Sequence, residues 1–287
     1  MSEFTKRDTP LYVVSDLHIG SGKKRDAFSS PQKIAQFHDF LDMVEREDGQ
    51  LLILGDFLDL WRFSFKGIVK HHNELLARLG EMDCHLIPGN HDLAMSDPAY
   101  HKNRMPVFGK IIQPFSLQIG ERDIAFWHGH EVDMMNKFIK PSFGKTLGRS
   151  AVPIEWLAKG QVFNSDVFHE QYMRLEAFFL SFWNTIIDAF GDTEMPLDKL
   201  CPEQIFKTLS REHNHKRIKL YEDQARAEGK TIISAHTHQA GTFDDWYFNS
   251  GSWTTQKSDF LRIWPNGKID VLRWMGETHQ INDRILA

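Results

Sequence analysis

An α/β fold is predicted by three features of the 287-residue sequence. Short apolar, β-branched runs alternate with amphipathic helical segments. Each run ends in a polar cluster rich in Asp, His, Asn and Gly. Open α/β sheets bind ligands where their strands end, so clusters placed there mark a site.

The elements follow in order. Residues 11–15 (LYVVS) read as a buried strand ending in Asp-Leu-His. Ser29 or Ser30 before Pro31 is a helix start, and Ile34, Phe37, Leu41 and Val44 repeat at helical spacing until Gly49. Residues 51–54 (LLIL) form a second strand that ends in Gly-Asp. Residues 71–79 read as a helix with Leu75, Leu76 and Leu79 on one face, leaving His71 and His72 as helix surface. Residues 84–87 make a third strand, ending in Pro-Gly-Asn-His-Asp. Residues 115–119 and 124–127 flank Gly120-Glu121-Arg122 as a hairpin whose second arm ends in His-Gly-His. Residues 231–234 are a strand ending in Ala-His-Thr-His. Residues 246–248, 260–264 and 269–274 read as closing strands, with Pro265-Asn266-Gly267 as a turn.

Between about 133 and 230 helical periodicity replaces strand periodicity. Phe168, Tyr172, Leu175, Phe179, Phe182 and Ile186 step along one face by threes and fours. The expected organisation is one domain over residues 1–287 with a helical insertion at about 133–230.

Composition narrows the function classes. Hydrophobic residues at 41% and charged residues at 25% suit a globular chain with a sizeable core. The net charge of −5 disfavours a duplex nucleic-acid partner, which calls for a basic surplus. Cys84 and Cys201 form no CxxC pair, so neither a disulfide framework nor a zinc knuckle is expected. The first ten residues are polar, and the apolar run at 177–187 is too short to cross a bilayer. A cytoplasmic location is the expectation.

Histidine, at 15 residues, is the outlier. Five clusters hold the chemistry: Asp16-Leu17-His18, Gly55-Asp56-Phe57-Leu58-Asp59, Gly89-Asn90-His91-Asp92, His128-Gly129-His130 and His236-Thr237-His238. Carboxylate, imidazole and amide oxygen donors suit Mn, Fe, Zn or Co. An extended backbone would put both members of Asp-x-His or His-x-His on one face. One carboxylate, Asp56, can bridge two ions held roughly 3.5–4 Å apart, which together activate a shared water for in-line attack on phosphorus. Any single cluster is weak, since Gly-Asp is usually a turn and His-x-His is often a solvent-facing pair. Their joint occurrence in order, each at a strand end, is what carries the reading.

In these motifs the sequence resembles the calcineurin-like metallophosphoesterases, over about residues 10–130 and 230–275. The resemblance implies a four-layer αββα sandwich. It implies one metal at Asp16, His18, Asp56 and His238, and another at Asp56, Asn90, His128 and His236, with manganese the leading candidate. It implies attack by a bridging hydroxide. It also implies that His91 protonates the leaving group and that Asp59 orients His91. Ala235 stands where the family usually has Gly.

Residues 55–61 (GDFLDLW) and 249–253 (NSGSW) further resemble the branch of UDP-2,3-diacylglucosamine hydrolases, although His91 stands where those enzymes carry Arg. That branch implies pyrophosphate cleavage in a lipid-linked nucleotide sugar, and peripheral contact with the inner membrane. The alternatives are a phosphodiesterase or phosphatase acting on a small soluble nucleotide, and a binding scaffold without catalysis. Lys137, Lys140, Lys145 and Arg149 are a solvated basic stretch or a contact for phosphate or an anionic membrane. His130 is a candidate substrate contact.

Overall fold

The computed structural model describes residues 8–22, 26–97, 110–112, 114–130, 218, 221–223, 225, 227–254 and 257–281. The aromatic stripe at 168–186, the basic residues at 137–149, Cys201 and most of the expected insertion lie outside the described residues.

Strand β1 (Leu11–Val14) leads to helix α1 (Pro31–Arg46). Ser30 caps that helix, its Oγ accepting from the Lys33 N–H at 3.1 Å, and Pro31 occupies a first-turn position where no N–H is needed. Strand β2 (Gln50–Leu54) follows, then helix α2 (Phe65–Glu81) and strand β3 (Cys84–Ile87). Helix α2 begins well before the predicted residue 71, because Ser64 caps it by accepting from Gly67 N. It is kinked at His72, which is buried rather than on the surface and lies 3.6 Å from Asp26 Oδ2.

The remaining strands are β4 (Lys110–Ile111), β5 (Phe115–Ile119), β6 (Arg122–Phe126), β7 (Thr231–Ser234), β8 (Gly241–Phe243), β9 (Tyr247–Asn249), β10 (Asp259–Ile263), β11 (Ile269–Trp274) and β12 (Thr278–Gln280). The short strands β4, β8 and β12 were not expected from the sequence: too few residues carry any period. The hairpin turn is tighter than predicted, since Arg122 pairs with Ile119 and only Gly120 and Glu121 turn.

Two sheets form. One has seven strands in the order β12-β11-β10-β1-β2-β3-β4, and the other five in the order β5-β6-β7-β9-β8. Alternation along β1 and β2 assigns the layers. Tyr12, Val14, Leu51 and Ile53 pack with Phe37, Phe40 and Leu41 of α1 and Leu75, Leu76 and Leu79 of α2. Leu11, Val13, Leu52 and Leu54 face the other way and meet Ile124, Phe126, Ile233 and Phe248 of the second sheet. That sheet's outer face (Ala125, Ile232, Tyr247) packs against helical residues Ile218, Tyr221 and Ala225. The layers are therefore helix, sheet, sheet, helix. Strands buried on both faces read as continuous apolar runs. Among the described residues, no helix is long and apolar enough to cross a membrane.

Candidate metal centre

The loops after β1 and β2 leave the sheet side by side. Their parallel ladder continues past the strands: Asp16 N donates to Gly55 O, His18 N to Asp56 O and Ile19 N to Phe57 O, at 3.1, 2.9 and 2.9 Å. Asp16, His18 and Asp56 sit in left-handed backbone, with φ of 51, 48 and 49°. His236 and His238 do so as well, at 71 and 56°. These five are most of the non-glycine residues at positive φ among those described, the others being Asp48 and Asp244. L-residues avoid this region at a cost of about 1–2 kcal/mol each, and such strain gathers at functional sites. The extended geometry expected for Asp-x-His and His-x-His is thus corrected: the side chains converge because the backbone turns left-handed.

Two groups of the expected metal ligands result, and His18 also falls in a third group with Asp59 and His91. Candidate ligand atoms of Asp16, His18 and His238 lie within 4.8 Å of one another, and those of Asp56, His128 and His236 do likewise. The two histidines of the last motif therefore divide between the groups. Asp56 faces both: its Oδ2 lies 3.7 Å from His18 Nε2 and 3.4 Å from His128 Nε2. His18 Nε2 and His238 Nε2 approach to 3.2 Å, and His238 Nε2 is 3.2 Å from Asp16 Oδ1. Asn90 is buried beside Asp56, whose Oδ1 accepts from the His91 N–H at 2.8 Å.

Electrostatics prepare these groups for a cation. Burial, reinforced by His91, pushes the His18 imidazole down to about 3, so it is neutral and able to ligate. Burial alone would raise the Asp16 carboxyl, but His238 holds it well below the usual carboxylate range. Burial is likewise overcome at Asp56, by His128 and His91. His128 Nδ1 meets the Leu54 carbonyl at 2.8 Å. A carbonyl only accepts, so Nδ1 carries the hydrogen, and Nε2 is the ring nitrogen on the Asp56 side, 3.4 Å from Oδ2.

The residues fit metal ions. Asn90 Oδ1 is a buried acceptor with no hydrogen-bond partner among the described residues. Such atoms are costly unless a cation meets them. Two glycines leave the necessary room. A Cβ on Gly89 would stand 2.3 Å from Asp56 Oδ1, and one on Gly55 would stand 2.2 Å from His128 Nδ1.

His91 sits beside both groups. Its Nδ1 is 3.1 Å from Asp59 Oδ1, its ring lies edge-on to His18 at 4.6 Å, and Trp61 stacks on its face at 4.0 Å with 18° between the planes. Burial works against the imidazolium, but the Asp56 and Asp59 charges raise its pKa above the ordinary histidine value. Asp59 is itself bound by the Arg62 side chain, which with His91 overcomes burial and keeps its carboxyl low.

The family model described as Calcineurin-like phosphoesterase matches residues 9–280. The chain belongs to the calcineurin-like phosphoesterase family. It is therefore a metal-dependent phosphoesterase of a dinuclear family. A search of curated proteins finds no match. Among solved structures, Vacuolar Protein Sorting 29 from Cryptosporidium parvum is 13% identical with a TM-score of 0.41, covering 95% of each chain. A structure described as a novel archaeal phosphodiesterase is 10% identical with a TM-score of 0.38, covering 92% of this chain and 99% of its own.

The sequence reading named two supporting residues, Asp92 and Asn249, without giving either a role. Asp92 is buried and ties two calcineurin-like motifs together: Oδ1 accepts from Gly89 N at 2.7 Å, and Oδ2 from Phe57 N and Leu58 N at 2.8 and 3.1 Å. Burial, with the Asp56 charge, pushes its carboxyl up to about 6. Asn249 donates from Nδ2 to Ala235 O and Thr237 Oγ1, at 3.0 and 3.1 Å, bracing the His236–His238 loop. Ala235, the departure from the family Gly, is not at positive φ and packs its methyl between the sheets, so a Cβ is tolerated. His130 is half-buried with its ring 5.4 Å from that of His128.

Proposed function

We propose that this phosphoesterase hydrolyses a phosphodiester or pyrophosphate bond at a two-ion centre. One ion would be held by Asp16, His18, Asp56 and His238, and the other by Asp56, Asn90, His128 and His236. The observation that carries this reading is the position of Asp56 Oδ2, between an imidazole of each group at 3.7 and 3.4 Å. Two divalent ions, with manganese first among candidates, would supply Lewis-acid activation of water and neutralise phosphate charge.

The chain's own residues complete the reaction. Water, having given up a proton to solvent, bonds through its oxygen to phosphorus as the P–O bond to the leaving group breaks. His91 gives a proton to the leaving oxygen. Asp59 occupies Nδ1 at 3.1 Å, so Nε2 is the nitrogen that donates. The Asp59 carboxylate at Nδ1 favours the protonated ring.

For substrate, the motifs at 55–61 and 249–253 favour a nucleotide-sugar pyrophosphate bearing lipid chains, which would bring the enzyme to a membrane surface. The test uses the full-length protein stripped with EDTA and reloaded with Mn²⁺. Bis-p-nitrophenyl phosphate, p-nitrophenyl phosphate and a UDP-sugar pyrophosphate are compared. Metal-dependent turnover is expected, fastest on the pyrophosphate. Asp56→Ala should lose metal and activity together. His91→Ala should keep its metal and lose about 10²–10⁴ in kcat on substrates with poor leaving groups. Preference for the simple diester would move the substrate to small soluble nucleotides. No turnover with Mn²⁺, Fe²⁺, Zn²⁺ or Co²⁺ would overturn the hydrolase reading.

A further inference from the structure

The imidazole of His91 is held on three sides. Asp59 takes Nδ1 at 3.1 Å, His18 meets the ring edge-on at 4.6 Å, and the indole of Trp61 covers one face at 4.0 Å and 18°. Trp61 is itself only 8% exposed, so its ring is fixed by its surroundings. Arg62 binds Asp59 through Nε, and its backbone N–H donates to Asp59 Oδ1 at 3.3 Å. Three residues of one short stretch, Asp59, Trp61 and Arg62, thus hold the histidine: one holds a nitrogen, one holds a face, and one holds the holder.

We propose that Trp61 is a positioning residue for His91, resting on the assignment of His91 as the proton donor above. Nothing in acid catalysis requires an indole, but a donor must stay within hydrogen-bond reach of the oxygen it serves. A hydrogen bond at Nδ1 leaves an imidazole free to swing about that contact. A parallel aromatic face removes this freedom. Trp61 therefore sets the direction of Nε2 without touching substrate.

The consequence separates positioning from folding. A misdirected donor harms only reactions whose leaving oxygen needs a proton. Trp61→Leu, Trp61→Met and Trp61→Phe are compared on diphenyl phosphate, whose phenolate is a poor leaving group, and on bis-p-nitrophenyl phosphate, whose nitrophenolate leaves unaided. The Leu and Met variants should lose about tenfold or more in kcat on diphenyl phosphate, as part of the 10²–10⁴ a general acid contributes. They should stay within about threefold of wild type on the nitrophenyl ester, with KM and metal content unchanged. Trp61→Phe, which keeps a flat face, should recover most of the loss. Trp61→Met carries the same test if Trp61→Leu does not fold.

Equal losses on both esters, or no loss on either, would overturn the proposal, as would a Phe variant no better than Leu. His91→Ala is the control. If it shows no leaving-group-dependent loss, the proton-donor assignment fails. If it shows one and the Trp61 variants do not, the positioning role alone fails.

Discussion

Asp59 and His91 show how charge is arranged one residue at a time. Arg62 holds the carboxylate, the carboxylate holds Nδ1, and Trp61 lies on the ring. Because the folded His91 pKa is raised, protonated His91 favours the folded state. That stabilisation is complete below the ordinary histidine value of about 6.5 and is lost as pH rises through the raised value. Urea denaturation of metal-free protein should therefore show wild type exceeding His91→Gln by a margin that shrinks as pH rises above about 6.5. A margin constant with pH would show that Asp56 and Asp59 do not bias the imidazole. This residue pair was legible in sequence as members of two motifs. Trp61 was legible only as a branch signature, because stacking depends on where a neighbouring loop lies.

At the scale of elements, the loops are more informative than the strands. Strands β1, β2, β3 and β7 deliver their clusters to one end, as their apolar runs predicted. The loops then depart from extended geometry at Asp16, His18, Asp56, His236 and His238, all at positive φ. Glycines occur where approach is closest. Gly89→Ala would place a Cβ 2.3 Å from Asp56 Oδ1 and 2.5 Å from Asp56 N, so backbone must shift. The variant should keep its helical circular dichroism but bind substoichiometric metal, as measured by elemental analysis, and lose turnover in proportion. Full metal occupancy in that variant would show that the two loops can separate without cost to the site. Helix starts divide similarly. Ser30-Pro31 announced α1, whereas Ser64 caps α2 with no Pro after it and with Gly67, a weak helix former, in the first turn.

On the scale of the molecule, two sheets pack face to face and the two groups of candidate ligands come from both. Asp16, Asp56 and Asn90 follow strands of the seven-stranded sheet, whereas His128, His236 and His238 follow strands of the five-stranded one. Ions bound between them would tie the sheets together, and binding to the folded state alone raises stability by mass action. Mn²⁺ at about a hundredfold excess over Kd should raise Tm by about 5–10 °C, and Asp16→Ala should abolish most of the rise. Unchanged Tm on adding metal to stripped wild type would argue against a centre shared by both sheets. The sequence by itself determined the α/β class, the strand ends and the residues that gather there, since period and motif are local properties of the chain. Only the tertiary structure decided that the ligand loops turn left-handed, why Asp92 and Asn249 matter, and that Trp61 lies on His91. Those facts rest on loop dihedrals and on contacts between segments distant in sequence, and neither leaves a periodic trace along the chain.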